Sequence, residues 1–104
     1  MKTETQTKKE IAAYLDSLGE KCWHTAFHNV GYGRKGIPDR IVCYRGFFFA
    51  IEVKRDEGAT ATAWQQREID AIHKAQGYAC VVWSVRQVRN VISQIDVAAG
   101  LNVL

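Results

Sequence analysis

Residues 36–54 read Gly36-Ile37-Pro38-Asp39-Arg40-Ile41-Val42-Cys43-Tyr44-Arg45-Gly46-Phe47-Phe48-Phe49-Ala50-Ile51-Glu52-Val53-Lys54. Two apolar runs, 39–44 and 47–54, flank the turn signal Arg45-Gly46, so the stretch predicts a β-hairpin opened by Pro38. With Arg45-Gly46 as a two-residue loop, Tyr44 faces Phe47, Val42 faces Phe49 and Ile41 faces Ala50. Carried down the ladder, Asp39 stands opposite Glu52. A four-residue loop from Tyr44 to Phe47 keeps that register, whereas a three-residue loop would turn the two carboxylates to different faces. Directly opposed residues share a face with Cβ atoms ~4.5–5.5 Å apart. Lys54 lies two positions past Glu52 and shares its face.

An apolar hairpin thus ends on two carboxylates and an ammonium. Carboxylates ~5 Å apart repel by roughly 3 kcal/mol at an effective dielectric near 20. A divalent cation with oxygen ligands from both would compensate that repulsion, and Lys54 alone would do so in part. Such an ion lowers the pKa of a bound water and stabilises charge on a phosphate, and a neighbouring lysine can orient that water or stabilise developing charge. The plain alternative is a solvated charge cluster at a hairpin end.

Outward from the hairpin, residues 4–18 have helical periodicity in Ile11, Leu15 and Leu18, with Gly19 as the stop. Residues 22–28 suit a strand. The stretch Asn29-Val30-Gly31-Tyr32-Gly33-Arg34-Lys35-Gly36 reads as a flexible basic loop. After a loop at 56–61, Thr62 can cap a helix from 63 to about 76 that Gly77 closes. Ala79 to Trp83 is a short apolar strand, and Ser84 can cap a last helix carrying Val85, Val88, Ile92 and Ile95. The order α-β-β-β-α-β-α predicts an α/β domain, a mixed sheet with helices packed on it, spanning 1–104 as one unit.

Gln65 precedes Ile69 and Ile72 on the sheet-facing side of its helix. It could reach a phosphate or a metal-bound water, or serve as a half-buried capping amide. Glu4 lies on the Ile11 stripe and could add a carboxylate to a metal site, or simply favour the helix dipole. Glu10 falls closer to solvent. Arg34, Lys35, Arg40, Arg45, Lys54 and Arg55 crowd residues 34–55, where only Asp39 and Glu52 oppose them. That local positive field would attract a phosphate backbone.

The 104 residues fit one domain, and 47% apolar content supplies a core. One proline and eight glycines argue against a disordered or fibrous chain. No apolar run approaches the ~18 residues that span a membrane, and Met1 to Gln6 lack the apolar region of a signal peptide. The expectation is a soluble cytoplasmic protein. The net charge of +3 permits nucleic-acid binding without demanding it. Cys22, Cys43 and Cys80 lack metal or disulfide spacing and read as buried free thiols. His24 and His28, ~13 Å apart along a strand, cannot share one ion and read as core or surface histidines. Trp23, Trp64 and Trp83 could stack on bases, but read first as core residues.

Gly36-Ile37-Pro38-Asp39, twelve intervening residues, then Glu52-Val53-Lys54 resembles the PD-(D/E)XK nuclease signature. Trp23 followed by Asn29-Val30-Gly31, then Glu52-Val53-Lys54-Arg55, Thr62-Ala63-Trp64-Gln65, and Tyr78 to Val85 are similar to the VRR-NUC branch in order and spacing, over about residues 4 to 92. The resemblance implies a restriction-endonuclease-like core using Mg²⁺ or Mn²⁺. It implies Asp39 and Glu52 as metal ligands with the Val53 main-chain carbonyl, Lys54 as the catalytic lysine and Gln65 as the family's glutamine. It matches Glu4 to a glutamate that the family places near the metal; the local positive charge, not the resemblance, marks Arg34, Lys35, Arg40 and Arg55 as the expected DNA contacts. His24 stands where the family often has arginine, and Thr7-Lys8 where it has an apolar–glutamine pair. These departures bear on Glu4 rather than on Asp39, Glu52 and Lys54.

Small standalone members of the family resemble those of phages, which implies a homodimer in a bacterial or phage-infected cell. It also implies an endodeoxyribonuclease acting on branched DNA such as four-way junctions or flaps. The rival expectations are a catalytically silent DNA-binding module of the same fold and a protein-binding α/β domain.

Overall fold

A computed structural model of the chain describes residues 2–28 and 33–100. Asn29, Val30, Gly31 and Tyr32, which belong to the expected basic loop and to the quoted resemblance, lie outside the described residues. The elements are α1 (Glu4–Ser17), β1 (Cys22–Ala26), β2 (Arg40–Tyr44), β3 (Phe47–Val53), α2 (Ala63–Lys74), β4 (Tyr78–Val82) and α3 (Val85–Ala98). A single 3₁₀ turn, Gly19–Lys21, joins α1 to β1. The order is the expected one, with boundaries moved by one or two residues.

The hairpin register is the one read from the sequence. Tyr44 pairs with Phe47, Val42 with Phe49 and Ile41 with Ala50. Arg45 and Gly46 have φ of 51° and 86°, the double left-handed conformation that a type I′ two-residue loop requires. Arg45 Nε donates to Asp96 Oδ1 at 3.2 Å, and the Tyr44 hydroxyl donates to the same oxygen at 2.8 Å. The turn is thereby tied to α3.

The four strands lie in the order β1-β2-β3-β4. The first three are antiparallel, and β4 runs parallel to β3 after the α2 crossover. Alternation then assigns the two faces. Val42, Tyr44, Phe49, Ile51, Val53 and Val82 face α1 and α3, where they pack with Ile11, Leu15, Val88 and Ile92. Ala50 and Ala79 face α2 and pack against Ile69. Two alanines leave room for α2 to approach closely, and Glu52 and Lys54 continue the same face towards its N-terminus.

Each helix opens on a hydroxyl residue followed three positions later by glutamine, a pattern that fixes helix starts. In α1 the Thr3 N–H donates to Gln6 Oε1 at 2.8 Å, and the Gln6 N–H donates to Thr3 Oγ1 at 3.1 Å. Thr62 and Gln65 repeat this arrangement at α2. At α3, Gln87 Oε1 accepts from the Ser84 N–H. The end of α2 departs from expectation. Gln76, not Gly77, takes the left-handed conformation, with φ of 70°. Gly77 is required by space instead, since a Cβ there would stand 3.0 Å from side-chain atoms of both Ile72 and Phe48.

Two further expectations are corrected. The tryptophans are not core residues: Trp23, Trp64 and Trp83 keep 61%, 48% and 37% of their surface exposed. The cysteines are free, as expected, but only half-buried. Burial pushes the Cys80 thiol up to about 11, away from reactive thiolate character. Among the described residues, no helix is long and apolar enough to cross a membrane.

Candidate active site

The ladder between β2 and β3 stops at Arg40 and Ile51, one pair short of Asp39 and Glu52. Asp39 is nevertheless fixed on both sides. Its main-chain carbonyl accepts from the Phe27 N–H at 2.8 Å, which ties it to the end of β1. Its Oδ2 accepts from the Val53 N–H at 2.8 Å, so the carboxylate replaces a ladder bond at the end of β3. Pro38, buried just before it, removes one N–H from the stretch and stiffens it.

Glu52 is 5% exposed and stands with Lys54 on the α2 face. Lys54 Nζ lies 3.7 Å from Glu52 Oε2 and donates to Gln65 Oε1 at 2.8 Å. The same Gln65 oxygen accepts from the Thr62 N–H at 2.8 Å. The capping reading of Gln65 therefore holds, and the same oxygen has a second partner that was not expected, the Lys54 ammonium. With that oxygen committed twice, only its amide nitrogen carries donors for a phosphate. Gln66 bonds Asp70 instead.

Burial, then the charge of Asp39 and a hydrogen bond with its carboxyl, pushes Glu52 up to about 7, against the opposing pull of Lys54 and Lys8. A carboxyl whose folded pKa stands above its ordinary value of 4.5 holds its proton more tightly in the folded state. Unfolding free energy then falls as pH rises through the window from about 4.5 to about 7. Thermal midpoints of the metal-free protein in chelator are expected to be lower at pH 8 than at pH 5. Glu52→Gln should flatten that difference, and a drop of equal size in this variant would assign it to another group.

Glu4 is linked to Asp39 only through a lysine, and it does not join Asp39 and Glu52 in a three-carboxylate group. Lys8, four residues on, lies 3.3 Å from Glu4 Oε2 and 3.6 Å from Asp39 Oδ1. Burial pulls the Lys8 ammonium down, but Asp39 and Glu4 together more than offset it, so its pKa is raised. Lys8 thus stands beside Asp39, a placement that residue patterning missed, although the i, i+4 spacing from Glu4 was a usable signal. Glu10 bonds Lys2 on the exposed side.

The expected DNA contacts separate into groups. Arg34 and Lys35 lie together before Gly36, and Arg34 pairs with Glu68 at 3.0 Å. Glu68, on α2, is buried, with 5% of its surface exposed. Arg40 lies on the α1 side, where its Nη1 donates to His24 Nδ1 at 2.8 Å. A guanidinium only donates, so Nδ1 supplies the lone pair and the His24 Nε2–H donates to Asp16 at 2.7 Å. Arg55 is exposed and bonds its neighbour Asp56.

Gly36 joins the basic loop to α2. Its φ is +86°, and a Cβ there would stand 2.7 Å from the Gln65 nitrogen and closer still to the Trp64 carbonyl. The missing side chain lets the loop lie directly on the first turn of α2, two residues after the Arg34 that Glu68 holds and three before Asp39.

Among the described residues, no three His, Cys, Asp or Glu side chains form a metal-holding group. A cation here would draw on two carboxylates, main-chain carbonyl oxygen and water. That donor set suits Mg²⁺ or Mn²⁺, which are hard and retain several waters. The pair of buried Glu52 and half-buried Asp39 fits such an ion, because burial first and the charge of Asp39 second raise Glu52, and a cation would offset both.

The sequence matches no family model and no curated protein. Solved structures do match. One, named as a VRR_NUC domain, shares 28% identity at a TM-score of 0.73 and covers 88% of this chain and 97% of its own. Another, named as a VRR_NUC domain protein, shares 24% identity at a TM-score of 0.69, with 91% and 88% covered, and speaks for the fold alone. The mixed sheet with its helices and the layout of residues 36–65 define a nuclease-type domain. Its fold is that of a VRR-NUC domain over most of the chain, in agreement with the resemblance carried by the motifs.

Proposed function

We propose that this chain is a Mg²⁺- or Mn²⁺-dependent endodeoxyribonuclease that hydrolyses phosphodiester bonds with Asp39, Glu52, Lys54 and Gln65. The observation that carries the reading is the seating of Lys54: its ammonium is held between the buried Glu52 carboxylate and the doubly used Gln65 oxygen. A surface lysine has no need of such fixing, whereas a group that stabilises charge in a transition state gains from being preorganised.

Asp39, Glu52 and the Val53 carbonyl would hold the ion, with Glu4 reaching the same place beside Lys8. Bound there, the ion supplies charge neutralisation on the phosphate and a water of lowered pKa. Lys54, held by Gln65, would orient an attacking water or stabilise charge on a phosphate oxygen. Lys8 adds a second positive charge beside Asp39. Arg34, Lys35 and Arg55 grip the DNA backbone. Arg40, tied to His24, holds the end of β2 and contributes field more than direct grip.

The family resemblance extends the proposal to branched DNA, four-way junctions or flaps, and to a homodimer that cuts paired strands. Cleavage of labelled linear duplex, flap, splayed-arm and four-way-junction DNA with Mg²⁺, Mn²⁺ or chelator tests the substrate. Preferred cutting of a branched form is expected, and equal cutting of plain duplex would remove the selectivity. Sedimentation of the protein at working concentration tests the dimer.

A silent DNA-binding module is favoured only by the basic loop, and it leaves the opposed carboxylates without a purpose. The double variant Arg34→Ala, Lys35→Ala is expected to weaken binding. It should also flatten the dependence of log affinity on log salt by about 0.9 for each phosphate that is no longer neutralised. An unchanged slope would take the loop out of the interface.

A further inference from the structure

The nuclease reading leaves one exposed feature beside the site unused. Trp64 occupies the first turn of α2, directly before Gln65, with 48% of its surface in water. Two cations from different elements lie over its ring, and a base stacking there would move aside the one on the face it takes. Lys35 Nζ, from the basic loop, is 5.8 Å from the ring centroid, and the Arg67 guanidinium, from α2, is 4.8 Å away. The backbone under the ring is locked, because Gly36 lies against the Trp64 carbonyl and admits no side chain there. Glu68, buried on the same helix, holds Arg34 of the same loop.

We propose that Trp64, with Lys35 and Arg67 beside it, is a seat for one unpaired nucleobase next to the phosphate that Lys54 faces. A base in a duplex has both faces covered by its neighbours and cannot use an exposed indole. An unpaired base at a branch point or in a single-stranded arm can stack on it. Its flanking phosphates then meet the two cations, which a protein partner without negative charge would not. Stacking on an aromatic side chain tolerates any base, so the seat reads strandedness rather than sequence. Its position one residue from Gln65 would place the unpaired nucleotide against the reacting phosphate. That supplies a local physical reason for preference towards branched DNA.

The inference rests on the nuclease reading for its purpose, but its test does not need cleavage. Binding is measured in chelator by fluorescence anisotropy, with a splayed-arm DNA and a fully paired duplex of the same length. A 2-aminopurine stands in the unpaired arm of a second probe. Trp64→Ala is expected to weaken splayed-arm binding about tenfold, within the range for losing one stacked base, and duplex binding less than about twofold. It should also abolish the 2-aminopurine quenching seen with the native chain. Trp64→Phe, which keeps a stacking face and the fold, is expected to restore most of both. Arg67→Ala should weaken the splayed-arm complex without restoring the 2-aminopurine signal. Equal losses on duplex and splayed arm, or unchanged quenching in Trp64→Ala, would overturn the seat. If the protein cuts no DNA but the Trp64 effects stand, the seat survives and the nuclease reading falls. If it cuts DNA and Trp64→Ala binds as the native chain does, the reverse holds.

Discussion

Glu52→Gln is expected to lower the cleavage rate by at least about a hundredfold to a thousandfold, the range for removing a group that stabilises the transition state, while DNA affinity stays equal or rises. The two halves of the expectation have one cause. Glu52 and Asp39 form a like-charged pair at the end of the hairpin, buried enough to raise the Glu52 pKa to about 7. The pair is suited to holding a cation and ill suited to meeting a phosphate alone. Glutamine keeps the shape of the side chain and removes the charge. The cation then loses one of the two carboxylates that hold it, and cleavage fails. An approaching phosphate meets less repulsion, so binding in chelator is spared. Anisotropy without metal and cleavage with Mg²⁺ on the same variant check both halves. Undiminished cleavage would remove Glu52 from the machinery. Weaker binding only in the presence of metal would mean that the ion itself holds the DNA.

Gly36→Ala is expected to destabilise the protein by roughly 2–4 kcal/mol, combining left-handed strain with a backbone collision. Cleavage should fall by more than about tenfold in the fraction that remains folded, since misplacing groups around a reaction centre by ~1 Å costs on the order of a hundredfold. The collision is with the Trp64 carbonyl and the Gln65 nitrogen, which are main-chain atoms of a capped helix end and cannot turn away as a flexible side chain could. To admit a Cβ, the start of α2 must move off the loop and carry the Gln65 oxygen away from Lys54. Gly33→Ala is the matched comparison. Its φ is +90° and a Cβ there meets nothing within 4 Å, so it should show strain without loss of cleavage. Denaturant midpoints and cleavage rates of the two variants check this. Equal behaviour would mean that the close approach at Gly36 does not position the site.

The hairpin was legible because its signals are local. Arg45-Gly46 lies between two apolar runs, and alternation from that turn determines which residues share a face. That was enough to set Glu52 and Lys54 side by side and to bring Asp39 near them. It was not enough to see that Asp39 leaves the ladder and bonds the Val53 N–H with its side chain, because a carboxylate replacing a main-chain acceptor has no pattern in the sequence. Lys8 carried a signal in its spacing from Glu4, but its second partner, Asp39, is 31 residues away and visible only when α1 lies across the sheet.

The tryptophans failed for a related reason. Periodicity says which residues share a face but not how far the neighbouring element extends over it. Trp23 is on the α2 side of the sheet, opposite Cys43 on β2, yet α2 packs over Ala50 and Ala79 of β3 and β4. The edge strand on that side keeps its indole in water. Glu68 went the other way. It follows Gln65 by one turn with nothing in its spacing to mark it, yet it is buried and pairs with Arg34.

Lys54, seated between Glu52 and Gln65, is expected to act with a divalent ion to break DNA. The measurement that tests it most directly is cleavage of end-labelled branched DNA by the purified chain and by Lys54→Ala, each with Mg²⁺, Mn²⁺ or chelator, beside DNA binding by both. Products are expected with metal from the native chain and none in chelator, with a loss of at least about a hundredfold in Lys54→Ala at near-native affinity. Full cleavage by Lys54→Ala, or equal products from the native chain in chelator, would contradict it.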